Sequence, residues 1–174
     1  IPSHLPLRGN KGNFYEGGIR VPLIVKWPGV VKPASTCNVP VISTDYYPTL
    51  LAMTGQPARP RQHVDGRNLV PLLKQTGTVK RDALYWHYPN YIGAGHPGGA
   101  RPCSVVRSGD WKLIESFETN RLELFNLKED LGEQANLAAK MPAKANALQR
   151  QLAAWRASAK VQMPKRNPAY KPGE

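Results

Sequence analysis

The sequence has no long hydrophobic run, only two cysteines and no dense block of one charge. Its longest apolar stretches, such as residues 23–25, are far too short to cross a bilayer, so no membrane span is expected. Cys37 and Cys103 form no C-x-x-C pair, which argues against zinc but leaves one disulfide or two free thiols open. With 41% hydrophobic and 21% charged residues, the 174-residue chain has a globular composition.

The formal net charge of +12 is spread evenly along the chain. Residues 1–66, 67–122 and 123–174 each carry a net charge of +4. Such a diffuse positive field attracts polyanions, but it also serves solubility alone. Because no stretch forms the basic run typical of a nucleic-acid arm, we do not expect nucleic acid as a partner.

The residue pattern predicts two parts, 1–80 and 81–174. Residues 1–18 are rich in Gly and Pro and should form a loop. The nearly continuous apolar stretch Ile19–Trp27 predicts a strand covered on both faces, as in an α/β sheet. A helix from Ser43 to Thr54 and a short helical turn from Leu69 to Lys74 should follow.

The second part predicts an antiparallel sheet packed on a helix. Residues 83–88 are rich in aromatics, and residues 104–107 and 111–115 form a hairpin pattern around a glycine turn. Residues 122–127 predict a fourth strand, and apolar residues at helical spacing follow Pro142. The tail from Met163 is rich in proline and should be irregular.

The most specific motif is the stretch LRGNKGNFYEGGIRVP, from Leu7 to Pro22. Its glycines let the backbone approach an anion closely, and Lys11 offers a compact positive charge to a sulfate or phosphate oxygen. It is not a Walker loop, because the Gly-Lys-Ser/Thr order before a helix is absent. From the residues alone, a simple turn with a solvated lysine remains an equal alternative.

This stretch resembles the LRGGKGxxYEGGIRVP segment of the sulfatase family, the arylsulfatase branch of the alkaline phosphatase superfamily. Five further blocks resemble sulfatase segments in the same order: Ser43–Leu51, Asp65–Leu73, Ala83–Pro89, Ser104–Ile114 and Glu123–Glu133. The resemblance covers most of the chain. It implies an α/β fold class, with the end of the large mixed sulfatase sheet in residues 1–80 and a small C-terminal subdomain in residues 81–174.

The resemblance also implies which active-site groups this chain contains. Lys11 matches the family lysine that binds the sulfate group, whereas Glu16 and Arg20 match positions with a structural role. The formylglycine nucleophile and the calcium ligands are expected upstream, so no metal ligand is expected in this chain. The run from Cys103 to Arg107 lacks the proline of the nucleophile motif at Val105 and is interpreted as a coincidence. The chain alone should therefore be inactive.

Three further residues are candidate substrate contacts: His87, His96 and Arg101. His87 lies in a block whose end reaches the cleft in sulfatases, and its alternative is a half-buried histidine on a strand. His96 lies in a Gly-rich loop, with a surface histidine as its alternative. Arg101 would pair with a sulfated sugar.

The resulting functional hypothesis is a sulfatase that hydrolyses sulfate esters, with a sulfated carbohydrate as the preferred substrate. The resemblance implies a formylglycine and calcium mechanism and a periplasmic or secreted location, and it leaves the oligomeric state open. Two alternatives remain. One is a phosphate or phosphonate monoesterase of the same superfamily, and the other is a non-catalytic module that binds a polyanion or glycan.

Overall fold

The structure, a computed structural model, describes residues 4–92, 100–165, 167 and 168 and divides the chain into two units. Unit 1 combines the residues up to Val21 with those from Asp82 onward, and unit 2 is Pro22–Arg81. The Lys11 loop therefore groups with the C-terminal sheet. The assignment of residues 1–80 to a larger catalytic domain stays a prediction.

Unit 1 contains a four-stranded antiparallel sheet with the strand order β1-β2-β3-β4. This confirms the predicted α/β class with antiparallel strands packed on a helix. The turn between β2 and β3 passes through Gly109, whose φ of +58° lies in the left-handed region that glycine enters without a steric penalty. The strands are β1 (Leu84–Tyr88), β2 (Cys103–Ser108), β3 (Trp111–Ser116) and β4 (Leu122–Asn126).

The two faces of this sheet pack against different parts of unit 1. One face packs on helix α4 (Pro142–Ser158), as predicted, and the Tyr85 ring stacks on Trp155 with centroids 4.8 Å apart. The other face buries Val105 and Phe125, and Phe14 and Tyr15 of the Lys11 loop pack against it. The loop is thus one of the two layers that cover the sheet.

Unit 2 is organised around a buried carboxylate rather than a sheet. Its helical elements are a 3-10 turn (Ser43–Asp45), α2 (Tyr46–Met53) and α3 (Val70–Leu73). The Asp45 side chain accepts the backbone N–H groups of Ile42 and Arg67 at 2.9 and 2.8 Å and pairs with both terminal nitrogens of Arg81. Hydrogen bonds of this one side chain connect three separate segments of unit 2.

Two predictions about residues 1–27 are wrong. Glu16–Ile19 forms a short helix, α1, where a loop was expected, and no described residue before Leu84 lies in a strand. Ile19 ends α1, residues 20–27 form no strand ladder, and the side chains of Val21 and Ile24 are 72% and 91% exposed. An apolar run indicates a tendency to be covered, but a strand also needs a neighbour for its N–H and C=O groups.

No helix in the described part of the chain combines the length and the apolarity that a membrane span requires.

Candidate functional site

The backbone around Lys11 forms a tight loop that closes on itself. Gly9 and Gly12 have φ angles of +78° and +106°, which side-chain-bearing residues rarely adopt. The Gly17 N–H donates to the Arg8 carbonyl at 2.8 Å and closes the loop. A Cβ on Gly17 would lie 2.4 Å from the Gly9 carbonyl oxygen, so this close approach requires glycine. The glycine spacing of the motif is explained by this geometry.

Lys11 lies at the exposed side of this loop. Its side chain has no hydrogen-bond or ion-pair partner within the described ranges. An ammonium group without an internal partner can give its three N–H donors to the oxygens of an external anion. This geometry is compatible with both alternatives that the residues left open, an anion-binding loop and a turn with a solvated lysine, so the sulfate-binding role of Lys11 stays a prediction.

Side-chain contacts on both sides of Lys11 connect the loop to the rest of unit 1. The Arg8 guanidinium lies 3.8 Å from the centre of the Tyr15 ring, and its Nη1 donates to the Glu133 carbonyl at 2.7 Å. The Tyr15 hydroxyl donates to Glu123 Oε2 at 3.0 Å. Burial, assisted by the Glu123 charge, raises the pKa of Tyr15 to about 12. The hydroxyl therefore stays protonated and keeps donating well above neutral pH.

Beneath the loop lies a buried charge cluster of Glu16, Lys112 and Glu133, which are 1%, 0% and 0% exposed. Lys112 Nζ lies 3.0 Å from Glu16 Oε1 and 2.8 Å from Glu133 Oε1. Glu16 Oε2 is 3.5 Å from Arg107 Nη1. The structural role expected for Glu16 is confirmed by these contacts. Burial raises the pKa of the Glu133 carboxyl, and the Lys112 ammonium opposes that rise.

His87 lies on the sheet face opposite the Lys11 loop. It stands across from Ser104 in the β1–β2 ladder and shares the α4 face with Tyr85, because side chains alternate along a strand. Its Nδ1 is 2.7 Å from Ser104 Oγ, and its Nε2 is 2.9 Å from the Gln162 carbonyl. Both ring nitrogens thus have partners, which favours the half-buried strand histidine over a substrate contact.

Arg101 is exposed just before β2 and forms an ion pair with Glu118 at 3.1 Å. Tyr91 also donates to Glu118, at 2.6 Å, and this bond together with the Arg101 guanidinium lowers the pKa of the Glu118 carboxyl. The role of Arg101 in substrate binding stays a prediction. His96, the remaining candidate, falls between residues 93 and 99, outside the described residues.

The two cysteines differ in their exposure. Both thiols are free, Cys37 exposed and Cys103 buried. Burial raises the pKa of Cys103 to about 12, which agrees with interpreting its partial motif as a coincidence. Within the residues that the structure describes, no group of three or more His, Cys, Asp or Glu side chains is arranged to hold a metal ion.

Sequence reasoning missed the residues that hold the loop, above all Lys112 and Glu133. A signal for Lys112 was present, because it shares its strand face with Ile114 and therefore had to lie in an apolar layer. A lysine at such a position requires buried carboxylate partners. Glu133 had no comparable signal, since it follows β4 in an irregular segment.

The antiparallel sheet with its covering helix, together with the glycine-bounded lysine loop, defines a sulfatase-type C-terminal region. Residues 10–159 match the family described as N-sulphoglucosamine sulphohydrolase, C-terminal, and the chain belongs to this family.

Individual relatives agree with the family. A sulfatase of Formosa agariphila is 40% identical over 147 residues, which are 79% of this chain and 26% of that protein. Human arylsulfatase A is 41% identical over 106 residues, 61% of this chain and 19% of that protein. The chain thus spans about a quarter or less of the length of these relatives.

Solved structures share the fold. Ps i-CgsB in complex with k-i-k-neocarrahexaose superimposes with a TM-score of 0.71 at 26% identity, covering 88% of this chain and 32% of that one. The phosphonate monoester hydrolase SpPMH from Silicibacter pomeroyi gives a TM-score of 0.59 at 25% identity, covering 76% and 28%. The fold is therefore also found in an enzyme named for phosphonate esters.

Proposed function

We propose that the intact protein containing this chain hydrolyses sulfate esters and that Lys11 binds the sulfate group of the substrate. The observation that carries the proposal is an exposed ammonium without an internal partner, at the side of a loop held on a buried charge cluster. Membership of the sulfatase C-terminal family and the names of the relatives support it.

In this proposal the role of Lys11 is electrostatic. The Lys11 ammonium would neutralise negative charge on the non-bridging oxygens of the sulfate group as the ester bond breaks. A preorganised charge of this kind needs no rearrangement during the reaction, which is why such groups contribute strongly to catalysis. The loop fixes the backbone of Lys11, because the glycine turns and the contacts of Arg8 and Tyr15 hold it on both sides, and this limits the positions that the ammonium can reach.

The remaining chemistry would come from outside these residues. The family resemblance implies a formylglycine nucleophile and a calcium ion, and we propose that other parts of the intact protein supply both. We expect this chain alone to be inactive for that reason. A periplasmic or secreted location also rests on the resemblance.

A sulfated carbohydrate is the substrate class that we propose. Ps i-CgsB, which is described in complex with a neocarrahexaose, shares the fold across most of this chain. The positive net charge of +12 would favour the approach of a polyanionic glycan. Arg101 and His96 remain the candidate contacts to such a sugar.

Replacement of Lys11 in the intact protein tests the proposal. We expect Lys11→Ala to lower kcat for a sulfate ester by about 10²–10³-fold with an unchanged melting temperature, since it removes one electrostatic donor at an exposed position. Lys11→Arg should restore little activity, because a planar guanidinium differs from a point charge. Lys128→Ala, which removes another exposed lysine of unit 1, is the matched control and should leave kcat unchanged.

Near-normal kcat of Lys11→Ala would show that Lys11 is only a solvated loop residue. The same preparations should be assayed with an aryl phosphonate monoester, because SpPMH shares the fold. Faster turnover of the phosphonate than of any sulfate ester would favour the phosphonate monoesterase. Binding of sulfated glycan without turnover of either ester would favour the non-catalytic module.

A further inference from the structure

Burying the charge cluster costs free energy, so a contribution to stability alone does not explain why these charged residues are there. Glu16, Lys112 and Glu133 lie against the apolar sheet face that buries Ile114 and Phe125. Removing three charges from water is unfavourable, and apolar residues of similar volume often stabilise a protein as well or better. The charges are therefore better explained by the geometry that they impose on the loop.

Glu133 contacts the loop on both sides of Lys11. Its carbonyl accepts Arg8 Nη1 at 2.7 Å, three residues before Lys11. Its carboxylate oxygen Oε2 accepts the backbone N–H of Glu16 at 2.6 Å, five residues after Lys11. Its other carboxylate oxygen lies 2.8 Å from Lys112 Nζ. One residue thus joins the two ends of the loop to each other and to strand β3.

The backbone of Glu133 supports this assignment. Its φ of +52° lies in the left-handed region, which is unfavourable for a residue with a side chain. Such a conformation persists only where the surrounding contacts fix it. In this conformation the Glu133 carbonyl accepts a hydrogen bond from Arg8, and the Glu133 carboxylate contacts the Glu16 N–H and Lys112 Nζ.

We propose that Glu133 is a positioning residue for Lys11, acting through Arg8, the Glu16 backbone and Lys112. Its effect on catalysis rests on the proposed function, whereas its effect on the loop does not. Glu133→Gln removes the negative charge beside Lys112 and replaces one carboxylate oxygen by an NH2 donor, so the side chain can no longer face both the Glu16 N–H and Lys112 Nζ with acceptor oxygens. The loop then samples more open conformations, and the Lys11 ammonium occupies its working position less often.

The first experiment measures the loop directly in the intact protein. Amide hydrogen exchange followed by mass spectrometry compares the wild type with Glu133→Gln. Exchange in residues 8–17 should accelerate about tenfold or more, because a buried hydrogen-bonded charge holds this segment, while β2 and β3 keep their protection. The control is Glu115→Gln. Glu115 lies on the same strand as Lys112, but its carboxylate pairs with Arg156, so its loss should not change exchange in residues 8–17.

The second experiment asks whether Glu133 acts through Lys11. In the protein that retains Lys11, Glu133→Gln should lower kcat/KM by about tenfold. In the Lys11→Ala variant, the same substitution should lower kcat/KM by less than about twofold. Equal factors in both backgrounds would mean that Glu133 only stabilises the fold and would overturn the proposal. Unchanged exchange in residues 8–17 would overturn it as well.

A second variant keeps the test decisive if Glu133→Gln does not fold. Arg8→Gln removes the contact to the Glu133 carbonyl without touching the buried charges, and it should accelerate exchange in residues 8–17 in the same way. Wild-type exchange rates in that variant would overturn the proposal. If the wild-type protein hydrolyses no sulfate ester, the proposed function fails, whereas the exchange experiment still decides the role of Glu133.

Discussion

Different interactions stabilise the interior of unit 1 and the interior of unit 2. Unit 1 covers both faces of its sheet, and Leu113 and Phe125 are 0% exposed. Unit 2 has Asp45 at its centre, while Ile24 and Leu50 are 91% and 57% exposed. Apolar packing requires many neighbouring side chains but depends little on their orientation. A buried carboxylate requires only a few hydrogen-bond donors, which must point at its oxygens.

This contrast explains where the candidate site is rigid. The Lys11 loop belongs to unit 1 and covers one face of its sheet, so its position follows from a core that unit 1 closes by itself. The exposed apolar side chains of unit 2 are of the kind that mark surfaces for further contacts. The loop that contains Lys11 is therefore positioned by the C-terminal sheet, although the loop lies far from that sheet in the sequence.

The largest expected difference between the units concerns the two thiols. The pKa of Cys103 is raised by burial from 9.0 to about 12, so its thiolate fraction at neutral pH falls on the order of 10³-fold. Cys37 is exposed in unit 2. Maleimide labelling at pH 7, followed by peptide mass spectrometry, should therefore modify Cys37 much faster than Cys103, because burial disfavours the Cys103 thiolate and shields its sulfur from the reagent.

Labelling in a high concentration of guanidinium chloride is the control, because both thiols should then react at similar rates. Similar rates in the native protein would show that strand β2 opens readily. Such a result would remove the contrast between a closed unit 1 and a more open unit 2.

Truncation of one apolar side chain in each unit gives the next largest effect. Phe125→Ala should lower the free energy of unfolding of this chain by about 3–5 kcal/mol, because it leaves a cavity in the sheet core. Ile24→Ala should change it by less than about 0.5 kcal/mol, because that side chain is exposed. Urea unfolding followed by circular dichroism measures both. A cost above about 2 kcal/mol for Ile24→Ala would show that the segment is covered.

The sheet of unit 1 follows from the sequence to a large extent. Alternation and the glycine turn at Gly109 predict β2 and β3 within one residue at each end, and the apolar spacing after Pro142 predicts α4. These are local signals. The two strands of a hairpin are neighbours in the sequence, and the apolar spacing of an amphipathic helix repeats every few residues.

Other features depend on contacts between distant residues. The apolar pattern of Ile19–Trp27 predicts a strand but contains no information on whether a partner strand is present. Lys11 is visible in the sequence because glycines flank it, whereas the contact between Glu133 and Glu16 spans 117 positions. The placement of His87 away from the loop follows from its register with Ser104, which single-sequence patterns do not fix.

The smallest expected effect concerns the hydroxyl of Tyr15, which tests how unit 1 holds the loop. Tyr15→Phe removes the hydrogen bond to Glu123 and should lower the free energy of unfolding by about 1 kcal/mol at pH 7. The control Tyr47→Phe removes an exposed hydroxyl that bonds Gln62 in unit 2 and should cost less than about 0.5 kcal/mol.

The pH dependence of this effect distinguishes a buried hydroxyl from an exposed one. The pKa of Tyr15 is raised from 10.0 to about 12, so the native state holds this proton more tightly than the unfolded chain. The stabilisation is therefore complete below pH 10 and is lost as the pH rises through about 12. Urea midpoints of wild type and Tyr15→Phe at pH 7, 9, 10 and 11 should differ by a constant amount up to about pH 9 and then converge, as the linkage requires. A difference that stays constant or grows up to pH 11 would contradict the burial of this hydroxyl beneath Arg8.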